Sequence, residues 1–157
     1  MVEIISSLTL KTWNGKEMVT IGGQVILTLE AQTLVGADLS HSKLDYAYLP
    51  STDLRRVNFS YATLHGANLS GANLCGANFE RSSMMGVNLE GADLAGAHLC
   101  GAYLPGASLG QADLRFAVLE DAKLRYARYD ETTVWPEGFD PRAAGAKLYS
   151  EVREWQL

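Results

Sequence analysis

Along residues 34–134 a large apolar residue returns at every fifth position without a slip, from Leu34 to Val134, in 21 units. It is Leu in 16 of them, Phe at Phe59 and Phe79, and otherwise Met84, Tyr129 and Val134. Two residues earlier stands a small one: Ala in 14 units, and Gln32, Ser42, Thr52, Val57, Ser82, Val87 or Thr132 in the rest. Both positions read as interior, and the three between read as outward.

A period of five suits neither regular element. On an α-helix each step of five turns about 140° past a full revolution, so the leucines would scatter around every side. On a flat strand they would alternate between opposite faces. A chain that bends once per unit keeps the large residue and the small one before it inside. Glycine stands two after the large residue in nine units, at Gly36, Gly66, Gly71, Gly76, Gly86, Gly91, Gly96, Gly101 and Gly106. Its tolerance of positive φ suits a tight bend.

The pattern A-(D/N)-L-x-x, as in "ANLSGANLCGANFE" at 67–80, resembles the pentapeptide-repeat family over about two thirds of the chain. That resemblance implies an all-β fold, a right-handed quadrilateral β-helix with four units per coil. Residues 32–136 then make about five coils, a rod of roughly 25 Å at the ~4.8 Å spacing of neighbouring strands. Phe59 and Phe79, one such coil apart, stack on one side between Leu39 and Leu99.

Both flanks read as caps, which stacked solenoids need over their open ends. Residues 1–31 lose the period. "LTLKTWNGKEMVTI" carries the hairpin signal Asn14-Gly15, and "VTIGGQVILTLE" continues with β-branched residues, so short strands are expected there. In 137–157, Asp140 reads as an N-cap with Pro141 at the first helical position, and Ala144, Leu148, Val152 and Trp155 share one face of the helix that follows. The stretch "TTVWPEGFDPRAAGA" is similar to the tails of many cyanobacterial members of the family.

The composition, 47% apolar with a net charge of -5, predicts one soluble folded domain and argues against gripping phosphate backbones or anionic membranes. No basic-then-apolar leader opens the sequence, and no run approaches the roughly 18 apolar residues that span a bilayer. Two cysteines, Cys75 and Cys100, make no disulfide framework, and a reducing cytoplasm is the expected compartment.

No reaction centre is legible. His98 and Cys100 flank Leu99, with Glu80 and Glu120 one coil to either side of Cys100; they are zinc-ligand types but read as ordinary outward residues, so no metal and no cofactor are expected. The serines have no histidine and acid whose convergence the spacing dictates, and the glycines follow the bends rather than a phosphate loop.

Two surface readings remain. The family resemblance implies that some members are acidic rods that mimic DNA and bind type II topoisomerases; here Asp53, Asn73, Asp93 and Asp113 align on one side, beside Arg55, Arg56 and Arg115. The other reading is the weakly charged middle, where 57–111 carries only Glu80, Arg81, Glu90 and Asp93 as charges. There Met85 and Pro105 stack, with Ser83 and Tyr103 beside them and His65 one coil earlier, a composition favoured at protein interfaces. The expectation is a non-enzymatic interaction module or scaffold for another protein, a monomer or an end-to-end dimer.

Overall fold

The computed structural model describes the backbone of residues 11–13, 16–21, 24–27 and 34–152, and side chains over 34–150. Strands β1 (Lys11–Trp13), β2 (Lys16–Ile21) and β3 (Gln24–Leu27) form an antiparallel sheet in that order. Trp13 pairs with Lys16, and the Asn14-Gly15 hairpin signal itself lies outside the described residues. Ile21 pairs with Gln24.

From Leu34 the chain winds. Parallel bridges join each residue before a core leucine to its equivalent four units on, from Asp38↔Asn58 to Ser108↔Arg128, at every fifth position. Because each unit pairs with the fourth after it, the coil has four sides. Its first side carries residues 38, 58, 78, 98 and 118; its second 43, 63, 83, 103 and 123; its third 48 to 128; its fourth 53 to 113. Each core leucine from Leu34 to Leu114 donates its amide to the next coil, as Leu74 does to Asp93 O at 2.7 Å.

The leucine column from Leu34 to Leu124 is buried, with Phe59, Phe79 and Met84 in it, and the alanines fill the space between. Phe59 and Phe79 stack as their spacing requires, ring centroids 5.1 Å apart and planes 19° from parallel. Alanine is the fitting partner because a bulkier residue at every such position would overpack the tube.

Each corner is a type II turn. The residue after the turn bonds back to the leucine carbonyl, as Ala37 N does to Leu34 O at 2.8 Å, and the residue two past the leucine has positive φ. The positive φ holds at every fifth position from 36 to 126, nine of them glycine and ten not. The Asn or Asp before the leucine has its own task. Its Oδ1 accepts the amide two residues on, as Asn68 does from Ser70 and Asn78 from Glu80, at 3.0 and 2.9 Å. That amide opens the corner and has no bond to the next coil, so the motif's polar position is an Asx turn.

The end of the coil departs from expectation twice. The five-residue register does not reach Val134: the last bridge is Asp113↔Val134, one position longer than every bridge before it. One extra residue enters after Tyr129. Val134 is exposed, Thr133 rather than Thr132 takes the small inward position, and Trp135 packs on the core with its ring edge-on to Tyr129 and stacked on Phe139. Asp130 holds the insertion, its Oδ1 accepting the amides of Gln111, Thr132 and Thr133 at 3.1, 3.0 and 3.0 Å.

The second departure is the helix. Asp140 does cap as expected, accepting the amides of Arg142 and Ala143 at 2.9 and 3.2 Å. The turns it starts end at Gly145, with φ +91°, over the Arg125 backbone. Lys147–Leu148 (β5) then pairs in parallel with Arg128–Tyr129 (β4), and helix α1 begins only at Tyr149, as Tyr149–Val152. Backbone pairing to the open last coil prevails over a helix at that point, since unpaired edge amides and carbonyls need partners. Gln32 and Trp155 lie outside the described residues.

Candidate functional site

The second side gathers the residues that the sequence singled out. Ser83 and Tyr103 are bridge partners, and the Gly66 and Gly86 amides donate to Met85 O and Pro105 O at 2.9 Å each, so His65, Met85 and Pro105 follow one another up the adjoining corner. Met85 is 50% and Tyr103 48% exposed, enough to present both side chains to a partner.

The structure adds a residue the sequence reading did not name. Asp45 lies one coil before His65, and its Oδ1 accepts the His65 amide at 2.9 Å. The imidazole Nδ1 is 3.5 Å from the same oxygen, and Nε2 meets Ser83 Oγ at 2.6 Å. Coil stacking alone would have put Asp45 beneath His65. The link from His65 to Ser83 falls two positions short of a full coil, a diagonal that a search for stacked equivalents passes over.

Carboxylate, imidazole and hydroxyl in that order are the types used in acyl transfer. Here the Asp45 oxygen is committed to a backbone amide, and Nδ1 lies too far from it for a good hydrogen bond. The amides of Ser83 and Met84, the donors nearest an oxyanion on Ser83, are spent on Ala62 O and Tyr103 O at 2.9 and 2.7 Å. The arrangement orients His65 and leaves Ser83 without the donors that acylation needs. Beneath it the Thr63 hydroxyl is buried without a hydrogen-bond partner among the described residues.

The acidic ladder on the fourth side is present: Asp53↔Asn73, Asn73↔Asp93 and Asp93↔Asp113 are successive bridges. Both ends of it are neutralised. Arg55 donates to Asp53 through Nε and Nη2 at 2.8 and 2.7 Å, and Arg115 grips Asp113 in the same way. These guanidinium hydrogen bonds hold both carboxyls below the usual aspartate range. Such a side presents two paired charges with Asp93 between them, which among the described residues accepts only the Ala95 amide, at 3.0 Å.

Cys75 and Cys100 are free thiols, and among the described residues no group of His, Cys, Asp and Glu is spaced to hold a metal ion. Among the same residues no helix is long and apolar enough to cross a membrane.

Taken together, the four-sided winding, the leucine column and the Asx-turned corners define a parallel β-solenoid whose outward side chains make surfaces. The family model for pentapeptide repeats, eight copies, matches residues 34–71, 62–99 and 92–128, and the chain belongs to that family. Membership gives the winding its right hand, and the family's members are in general structural or interaction modules.

Among solved structures the chain is similar to HetL of Nostoc sp. strain PCC 7120, a pentapeptide repeat protein involved in heterocyst differentiation regulation. They are 35% identical over 60% of this chain and 52% of HetL, with a TM-score of 0.48, so the match spans about half of HetL's length. A second Nostoc PCC 7120 pentapeptide repeat protein, alr5209, is 40% identical over 71% of this chain and 84% of its own, with a TM-score of 0.36. QnrB1, a plasmid-mediated fluoroquinolone resistance protein, is 19% identical over 78% and 82%, with a TM-score of 0.43. Among curated proteins none matches the chain.

Proposed function

We propose that the chain is a non-enzymatic protein-interaction module acting in the cytoplasm. In this reading residues 32–136 form a stiff rod of about five coils, roughly 25 Å long at the ~4.8 Å strand spacing, closed by the flanking segments 1–31 and 137–157. Its second side, with His65, Ser83, Met85, Tyr103 and Pro105, receives another protein.

The observation that carries the reading is the contiguous exposure of Met85 and Tyr103 on a stretch nearly free of charge. Apolar and aromatic side chains in a weakly charged patch lose little solvation on docking and gain contact area. The reading includes a regulatory role in a cyanobacterium, the kind of role described for HetL. The test is a pull-down from native lysate with wild type and with a Met85→Asp, Tyr103→Asp double variant. A specific protein retained by the wild type and lost by the variant supports the reading; equal retention by both refutes it.

The topoisomerase-inhibitor alternative rests on the fourth-side ladder, whose end carboxylates are already paired to arginine. A gyrase supercoiling assay separates the two, since an interaction module of the kind proposed leaves supercoiling unchanged.

A further inference from the structure

The columns that build the second side do not stop at Tyr103 and Pro105. Tyr103 bridges to Lys123, and the Gly106 amide donates to Arg125 O at 3.0 Å, which sets Arg125 one coil beyond Pro105. Past the next corner Arg128 pairs with Lys147 on the third side. Lys123, Arg125, Arg128 and Lys147 are all exposed and gather around the corner at Tyr126.

None of the four has a carboxylate within ion-pair distance among the described residues. Elsewhere on the rod Arg55, Arg81 and Arg115 each have one. The two arginines of the cluster contact aromatic rings and hydroxyls instead. Arg125 lies 4.8 Å from the Tyr126 ring centroid and donates to its hydroxyl at 2.9 Å; Arg128 lies 5.6 Å from the Tyr149 ring and donates to Ser108 Oγ at 3.1 Å. Four cations without carboxylate partners on adjoining columns of a chain of net charge -5 repel one another.

We propose that this corner docks an acidic peptide segment of another protein, its carboxylates facing the four cations and its apolar side chains lying on Tyr103 and Met85. The inference rests on the reading of the second side as a protein-binding surface and extends it to the chemistry of the partner. A peptide is favoured over nucleic acid because acids border the cluster on both sides, Glu120 and Asp121 before it and Asp130 and Glu131 after it. A long phosphate backbone would be carried over those carboxylates, whereas a short acidic segment fits between them. The apolar run at Met85 and Pro105 continues the same strip and has no use for phosphates.

The test begins with random peptides displayed on phage and selected against the wild-type chain. Fluorescein-labelled winners are then titrated by polarisation against wild type, a K123E/R125E/R128E triple variant and the Met85→Asp, Tyr103→Asp double variant. The expected result is enrichment of Asp and Glu among winners, affinity that falls with added salt, and a loss of about tenfold or more on charge reversal. Winners without acidic bias, affinity indifferent to charge reversal, or a selection that yields no binder overturns the proposal.

Peptides sensitive to the Met85 and Tyr103 changes but not to charge reversal would overturn the acidic chemistry alone and leave the binding surface standing. Indifference to both sets would remove both. A single-stranded DNA oligonucleotide and phosphatidylserine vesicles are titrated alongside, and tighter binding of either through the same three cations also overturns the assignment. Should the triple variant melt early, Lys123→Gln with Arg125→Gln and the salt titration on wild type give the same discrimination.

Discussion

The residue two past each core leucine sits in the left-handed region whether or not it is glycine. Tyr46, Arg56, Tyr61, Phe116 and Tyr126 do so at φ between 57° and 62°. A side chain there costs about 1–2 kcal/mol each, so the coil's hydrogen bonds and core must offset it ten times over. Gly91 isolates that cost, because a Cβ added to it meets nothing within 4 Å. Gly91→Ala is therefore expected to lower stability by about 1 kcal/mol through φ alone. Gly66→Ala should lose more, since its Cβ would lie 2.9 Å from the Tyr46 ring. Urea titrations of the two variants measure the difference. Proline follows the same local logic. Pro50 and Pro105 stand where a corner amide would need an Asx acceptor, and the residues that should supply it are Tyr48 and Tyr103. Lacking an N–H, proline leaves nothing to satisfy.

At the scale of the element, the Phe59–Phe79 stack and the slip at Asp130 are separately testable. Phe79 is fully buried, and Phe79→Ala is expected to cost about 3–5 kcal/mol, read as a clear fall in melting temperature. An unchanged transition would contradict an interior ring. Asp130 is subtler. Burial works to raise its carboxyl, but hydrogen bonds from the Thr132 hydroxyl and from the Gln111 and Thr132 amides outweigh that and hold it below the ordinary 3.8. A depressed folded value means that the carboxylate's contribution is complete above 3.8 and disappears as pH falls through the lower folded value. Asp130→Asn is thus expected to be less stable than wild type at about pH 7, with the gap closing in acid as the carboxylate protonates, in urea midpoints taken from neutral to acid pH.

These elements also mark how far the sequence could be read. The period placed the leucine column and the phenylalanine stack because each position meets its own kind one coil away. It could not place Trp135, since Val134 is an equally good interior residue, and the extra residue is favoured by contacts no period shows: the Asp130 hydrogen bonds and the packing of Trp135 on Tyr129 and Phe139. Asp140 accepts the amides that its place before Pro141 suggested, but only turns follow it and no helix starts at Pro141, because the unpaired edge at Arg128–Tyr129, a long-range fact, takes the chain instead. The His65–Ser83 contact was likewise hidden, being neither local nor a stacked equivalent.

For the whole molecule, the solenoid divides its labour. The core and corners are specified by every unit, so the outward residues are left to vary without endangering the fold. The weakly charged middle and the cations near Tyr126 are then properties of sides rather than of single residues. A partner that reads one side meets a straight column of side chains spaced ~4.8 Å apart. Repeat spacing is enough to set Met85 on Pro105 and Tyr103 on Ser83 in neighbouring columns, while the Asp45 contact to His65 depends on a side-chain geometry that spacing does not give.

The bridges repeat at one fixed interval without interruption from Asp38 to Arg128, and this makes the protein a molecular ruler with a constant graduation. Excising residues 68–87 would splice like onto like, joining Ala67 to Asn88 as it is now joined to Asn68. The expected product is a folded chain shorter by one graduation, ~4.8 Å by small-angle scattering, with Phe59 now facing Leu99 in place of Phe79. A deletion there two residues shorter should instead turn leucine out to the corner, one two residues longer should force leucine into the tight alanine position, and both should yield aggregate.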